Sequence, residues 1–407
     1  MSRHVVFVAP YFMDTTLRFV RAVAELPDVA LGLISQESRD RLPPDLRARV
    51  AGYAQLDDAM NAGQIAYGVE MLSQRLGKPW RLLGTLEHIQ VQLAEVRDHL
   101  GIPGMEAETA QLFRDKGRMK DRLRSAGLPC ARHRVLLSDQ DAWDFARQVG
   151  YPIVVKPKEG VGAAITFRAD GDEELRHALA CVRPSRERQA IAEEFITGEE
   201  HSFEVVSIGG KPVWHSLTRY APNPLDAVRN PWIQWTVLLP REIHGPQWDD
   251  VREAGFAALR AMGMGTGLTH MEWFRRRDGS LAISEIAARP PGAQIMTLNT
   301  YAYDMDFYRA WARLLVDSQF GAPERQYATG AAFFRGQGGG RVQRIHGLDR
   351  AQKDLGHLVV EARLPQIGQP AASSYEGEGF AVLRHKETSV VQNALRHLVS
   401  TVRVELG

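Results

Sequence analysis

Within HMEWFRRRDGSLAISEIAARPPG, residues 270 to 292, two acids, Glu272 and Glu285, flank an Asp278-Gly279 dipeptide. Asp-Gly between strand-forming runs predicts a two-residue hairpin turn, because both central positions need a positive φ. With Asp278 and Gly279 central, Arg277 faces Ser280, and the same register sets Glu272 directly across from Glu285. Opposed Cβ atoms sit roughly 5 Å apart and like charges there repel, so something positive must lie between them. Arg289 shares the parity of Glu285 and projects from the same face, about 13 Å further on at ~3.3 Å per residue. A hard divalent cation such as Mg²⁺ takes oxygens from one or two carboxylates and completes its shell with water and phosphates. Phosphate chemistry is therefore the first hypothesis. The competing reading is a solvated hairpin face whose acids are answered by Arg275, Arg276 and Arg277. The Pro- and Gly-rich ARPPGAQ leaves the sheet at once, which suits the floor of a cleft.

Phosphates need cations. Lys156 ends an apolar strand, YPIVV, where a lysine is costly to bury unless a partner takes its charge. Lys116 opens DKGRMKDRLRSAGLP, a basic amphipathic helix stopped by Gly127 and Pro129, and taken alone reads as an exposed lysine on that helix. KEGVGA carries two glycines, Gly160 and Gly162, and is either a phosphate loop or an ordinary turn. Glu193, Glu194, Glu199 and Glu200 form an acidic group that is either functional or solvated.

The elements that must position these residues fall into two halves. HVVFVAP (4–10) is a buried strand, TTLRFVRAVAEL (15–26) a helix behind a threonine cap, and VALGLIS (29–35) a second strand. This βαβ opening, with WRLLGT (80–85) as a further strand, predicts an open parallel sheet over residues 1–112. No GxGxxG follows the first strand, so a dinucleotide site is unsupported. RHRVLLS (132–138), a helix through DAWDFARQVG, and YPIVVKPKEGVGAA (151–164) make a second α/β unit. From residue 190 to 220 the pattern changes to strands separated by Gly-containing turns, the hairpin closes their sheet, and MDFYRAWARLLVD (305–317) is helical. The last ~90 residues mix strand and helix around GQGGG (336–340), so α/β gives way to α+β. TRYAPNPLDAVRNPWIQW (218–235) is the candidate substrate loop. Arg219, Tyr220, Trp232, Trp235, His270, Trp273 and Arg335 are either pocket-shaping groups or packed aromatics and surface cations.

The chain has 407 residues, enough for two to three domains. Fifty basic against forty-nine acidic residues give a net charge of +1, so no bulk field recruits nucleic acid or membrane. No apolar run approaches the ~20 residues of a membrane span, and the N-terminus lacks a signal peptide's apolar run and cleavage site. A cytoplasmic protein is expected. Two cysteines, Cys130 and Cys181, and thirteen scattered histidines form no metal-ligand spacing, so zinc is not expected.

Taken in order, DK at 115–116 with its following GLP, VVKPKEGVGA, EEFITGEEHSFE, HMEWF and SEIAARPPG resemble the ATP-grasp superfamily, specifically its carboxylate-amine ligase branch, over most of the chain. The resemblance implies an ATP-grasp fold with an N-terminal Rossmann-like open sheet (1–112), a small subdomain with a phosphate flap (113–190), a large subdomain with the metal site (191–320) and a C-terminal lid-like segment (321–407). It assigns Lys116 and Lys156 to nucleotide phosphates, Glu193, Phe195 and Ile196 to the hinge that holds adenine, and Glu200 to the ribose. It makes Glu272 and Glu285 the ligands of Mg²⁺, or of Mn²⁺ in its place, and Arg289 catalytic. SEIAAR is similar to the form seen in L-amino acid ligases, which implies amino acids as the carboxylate and amine substrates, and a homodimer is compatible with it. Many relatives carry an asparagine two residues after the second acid, where Ala287 stands here, so one ligand must come from water or substrate, or a metal site is weakened. Alternatives are a bicarbonate-activating or purine-biosynthesis enzyme on the same fold, and an ATP-binding protein without turnover.

Overall fold

The computed structural model describes residues 2–158, 166–230, 233–321, 323–372 and 374–407. Trp232 and most of the expected phosphate flap, including Gly160 and Gly162, lie outside the described residues. Among the described residues no helix is long and apolar enough to cross a membrane.

Four parallel strands open the chain, in the order Val50–Gln55, Val29–Ser35, Arg3–Val8, Arg81–Leu83. Arg3–Val8 is buried along nearly its whole length, as a central parallel strand covered on both faces must be. The helix after it starts at Asp14 behind Met13, which makes no side-chain cap bond, so the expected threonine cap is absent. One core joins Phe7, Phe19 and Leu33 of this unit to Phe307 and Trp311 of the helix Phe307–Asp317.

A four-stranded antiparallel sheet follows, ordered His133–Leu136, Ala190–Glu194, Ile153–Pro157, Phe167–Ala169. The large antiparallel sheet has eight strands, from Leu281–Ala287 and Gly267–Arg276 at one edge through Gly198–Ile208, Lys211–Ala221, Trp235–Leu239 and Ala328–Phe334 to Gly379–His385 and Val359–Arg363. Its last strands come from the C-terminal stretch, so that stretch continues the sheet. The expected substrate loop is partly regular, with a helix at Pro224–Arg229 and a strand from Trp235.

The hairpin departs from expectation in a way that decides where the acids point. Its turn has three residues: Arg276 N–H donates to Ser280 O at 2.8 Å, Gly279 N–H donates to Arg276 O at 3.0 Å, and Gly279 has φ 83°. Arg277 does not face Ser280. Continued up the ladder, that turn pairs Arg275 with Leu281, Phe274 with Ala282 and Trp273 with Ile283, and would bring Ser284 opposite Glu272. A β-bulge at Ser284 adds one residue, and the pairs become Glu272 with Glu285 and His270 with Ala287. The expected pair of acids therefore forms through two deviations that cancel.

Candidate active site

Glu272 and Glu285 line one cleft together with Lys116, Lys156, Glu193, Phe195, Ile196, Glu200 and Arg289, so every residue expected to hold nucleotide or metal or to be catalytic reaches the same cavity. Their supports differ. Asp115 caps the helix Lys116–Ser125, its carboxylate accepting from the backbone N–H groups of Gly117 at 2.9 Å and Arg118 at 3.1 Å. The cap starts the helix with Lys116 turned inward, its Nζ 2.9 Å from Glu285 Oε1. Lys156 projects from Ile153–Pro157 and reaches Glu193 Oε2, on the neighbouring strand, at 3.1 Å.

A third lysine, Lys120, one turn beyond Lys116, is fully buried; it donates to Ser284 O at 2.7 Å and lies 3.6 Å from Glu193 Oε1. That second distance is an ionic contact too long for a hydrogen bond, and Glu193 Oε1 has no hydrogen-bond donor among the described residues. Nothing in the sequence singled Lys120 out beyond its place four residues after Lys116.

Burial and charge act in opposition here. Burial drives Glu285 toward protonation, yet Lys116 and Lys156 outweigh it and hold the carboxyl down at about 2. Burial likewise works against the charge on Lys156, but Glu193 and Glu285 hold its pKa above the ordinary lysine value. For Glu200 the pull of Lys156 and His270 is the weaker side. Burial, then the charges of Glu272 and Asp226, push its carboxyl well above the usual range. Lys116, Lys120 and Lys156 gather around Glu193 and Glu285, which brings ammonium groups to the wall of the cleft.

Glu272 finds its cation along its own strand. His270 Nε2 lies 3.6 Å from Glu272 Oε1, and His270 Nδ1 lies 2.9 Å from Glu204 Oε1. Arg275 and Arg276 pair with Asp250 and Glu194 instead, so neither answers Glu272 or Glu285. Arg289 donates from Nε at 2.9 Å and Nη2 at 2.8 Å to Glu87 Oε2 of the N-terminal unit, and Glu87 Oε1 also meets Arg114 at 3.2 Å. Glu87 and Tyr375, which also line the cleft, carried no signal in the sequence.

The start of the strand Gly198–Ile208 depends on one glycine. A Cβ on Gly198 would sit 2.2 Å from Arg275 O, so only glycine lets the strand begin that close to the hairpin. Before it, Phe195 N–H donates to Pro152 O at 3.1 Å and the Phe195 ring lies under the Arg168 guanidinium, 4.3 Å from centroid to Cζ. Three substrate candidates are structural: Trp273 is buried against His201, Arg219 lies over Trp248 at 5.3 Å, and Arg335 donates to Ala227 O at 2.5 Å and Ile233 O at 3.0 Å. Tyr220, Trp235 and His270 line the cleft.

Two facing carboxylates suffice for Mg²⁺ when phosphates and water supply its remaining oxygens. Among the described residues there is no group of three or more His, Cys, Asp or Glu side chains placed to hold a metal by themselves. The donor set fits a metal that arrives with a nucleotide.

Residues 121–304 match the ATP-grasp domain family. The L-arginine-specific L-amino acid ligase of Bacillus subtilis is 26% identical over 220 residues, 53% of this chain and 52% of that protein. The chain spans about half the length of the curated relatives it matches, 58% and 52% for two of them. Among solved structures, an L-amino acid ligase from Bacillus licheniformis superposes with a TM-score of 0.79 at 17% identity, over 100% of this chain and 99% of that one. The N5-carboxyaminoimidazole ribonucleotide synthetase of Thermotoga maritima gives 0.71 at 16%, with both chains covered fully. At these identities the likeness speaks to the fold.

Proposed function

Starting from a chain that belongs to the ATP-grasp superfamily, we propose an ATP-dependent carboxylate-amine ligase that forms an amide or peptide bond, with amino acids as substrates. The observation that carries this reading is the meeting of Glu272 and Glu285 across one strand pair, within a cleft that also receives Lys116 and Lys156.

A carboxylate is a poor electrophile, and an amine does not displace oxide from it. Transfer of the γ-phosphoryl group of ATP to the carboxylate oxygen releases ADP and gives an acyl phosphate. Attack by the amine on the acyl carbon then expels phosphate and forms the amide. Mg²⁺, when held by Glu272 and Glu285, supplies charge neutralisation at the phosphate oxygens. With Glu285 given to holding the metal, Lys116 would offer its ammonium to a phosphate oxygen, and Lys156 would keep its ammonium beside the phosphates. Glu193 steadies Lys156 from behind. Glu200, whose carboxyl its surroundings push toward protonation, offers its oxygens to the ribose hydroxyls. Arg289 reaches the substrate end of the cleft, where its planar fork suits a carboxylate or the transferring phosphoryl group. Ala287, beside Glu285, leaves room there for a substrate carboxyl group.

ADP release measured with ATP, Mg²⁺ and amino acids, singly and in pairs, tests the reading. Release that needs two amino acids supports it; release that needs bicarbonate transfers the site to carboxylation. No release under any mixture removes the ligase.

A further inference from the structure

The bulge at Ser284 does what bulges near sites are suited to do: it re-aims a side chain. Without it the turn register would set Ser284 against Glu272 and send Glu285 to the opposite face, because a one-residue slip inverts a strand. The bulged segment is held by one helix. Lys116 reaches the Glu285 carboxylate at 2.9 Å, Ile286 N–H donates to Met119 Sδ at 3.3 Å, and Lys120 Nζ donates to Ser284 O at 2.7 Å. Positions i, i+3 and i+4 share a helix face. Their span of ~6 Å at 1.5 Å per residue matches the ~6.6 Å that residues 284 to 286 cover at about 3.3 Å per residue.

We propose that Lys120 is a positioning residue for the second metal-side acid: it pins the Ser284 carbonyl of the bulge and thereby sets Glu285 across from Glu272. Its side chain is wholly buried and meets Glu193 as well, so the same lysine ties the bulge to the carboxylate that steadies Lys156. A carbonyl displaced from its ladder needs a donor, and the wholly buried Lys120 supplies it. The inference rests on the proposed role of Glu285 as a metal ligand, and its test separates the two.

Lys120→Met keeps the apolar stem and removes the donor, whereas Lys120→Gln keeps a donor without charge. The first readout is hydrogen exchange of the metal-free protein over residues 281–288. Lys120→Met should speed exchange there about tenfold relative to the rest of the large sheet, and Lys120→Gln should restore part of the protection. The second is binding of Mn²⁺ in the presence of ADP, followed by the electron paramagnetic resonance of free Mn²⁺; Lys120→Met should weaken it by about 10- to 100-fold, as loss of a support behind a metal ligand does. Should Lys120→Met not fold, the same readouts on Lys120→Gln, with intermediate effects expected, decide the matter. Exchange and Mn²⁺ affinity both within twofold of the unsubstituted protein in a folded variant overturn the inference. If the unsubstituted protein binds no Mn²⁺ with ADP, the metal reading fails instead, while the exchange result still decides whether Lys120 holds the bulge.

Discussion

The strands Gly198–Ile208 and Gly267–Arg276 run side by side, and their two faces put histidines to opposite uses. On the cleft face His270 lies between Glu204 and Glu272; burial pulls its pKa down, but the two carboxylates raise it to about 9. On the core face His201 is stacked on Trp273, centroids 4.6 Å apart, and burial with the nearby Arg219 charge brings it down to about 4. Both rings are almost wholly buried, so burial alone does not decide their charge. The neighbours across the ladder do. The period-two pleat lets one pair of strands build a charged floor for the cleft (Glu200, Ser202, Glu204, His270, Glu272) and an apolar core (Phe203, Val205, Met271, Trp273) from alternate residues.

That division predicts which property each substitution breaks. Glu285→Gln, on the cleft side, should lower kcat by about 10²-fold or more through loss of metal charge, with a smaller fall in melting temperature, because Lys116 loses the carboxylate it meets at 2.9 Å. Steady-state kinetics with a thermal melt check it. Trp273→Ala, on the core side, should do the converse and cost ~3–5 kcal/mol of stability, read by chemical denaturation, while the folded fraction keeps its nucleotide affinity.

Arg289→Lys tests the cleft's far end. A point charge does not reproduce the guanidinium fork that grips Glu87, and the misplacement should cost about 10²-fold in kcat/KM, most of it in the substrates' KM if Arg289 holds the substrate carboxylate. An unchanged KM would limit Arg289 to the contact with Glu87.

The smallest effect is on pH dependence. His201 has a folded pKa below its unfolded value, so its neutral burial stabilises fully above about pH 6.5, and that stability is lost as pH falls toward about 4. His270 has a raised pKa, so its contribution is full below about 6.5 and is lost as pH rises through about 9. His201→Phe keeps the ring stack and should flatten the acid limb of a denaturation-against-pH curve by at most about 1.4 kcal/mol per pH unit, one proton's worth. The alkaline limb should not move.

The same two-faced strands explain how much was legible beforehand. Local signals were strong where one segment sets its own structure: VALGLIS is a strand at the expected residues, and the Asp115 cap starts the helix at Lys116. The hairpin was legible as a hairpin but not in register, because Asp-Gly is compatible with a three-residue loop in which only Gly279 takes positive φ, and a bulge at Ser284 has no local mark. Lys120 looked like one more cation on a basic helix; its partner Ser284 lies 164 residues away. Glu87 and Arg289 are 202 residues apart, and no spacing within either segment announces their ion pair. Glu272, Glu285, Lys156 and Arg289 stood out by their charges in strand contexts, and Glu193, Phe195, Ile196 and Glu200 were assigned by the family resemblance, whereas the groups that hold them in place depend on tertiary contacts.

A crystal structure with Mg²⁺ and a non-hydrolysable ATP analogue tests the central claim most directly. The account predicts a metal about 2.0–2.1 Å from carboxylate oxygens of both Glu272 and Glu285, with Lys116 moved from Glu285 onto a phosphate oxygen. A nucleotide bound away from this pair, with the 2.9 Å contact between Lys116 and Glu285 intact, would contradict it.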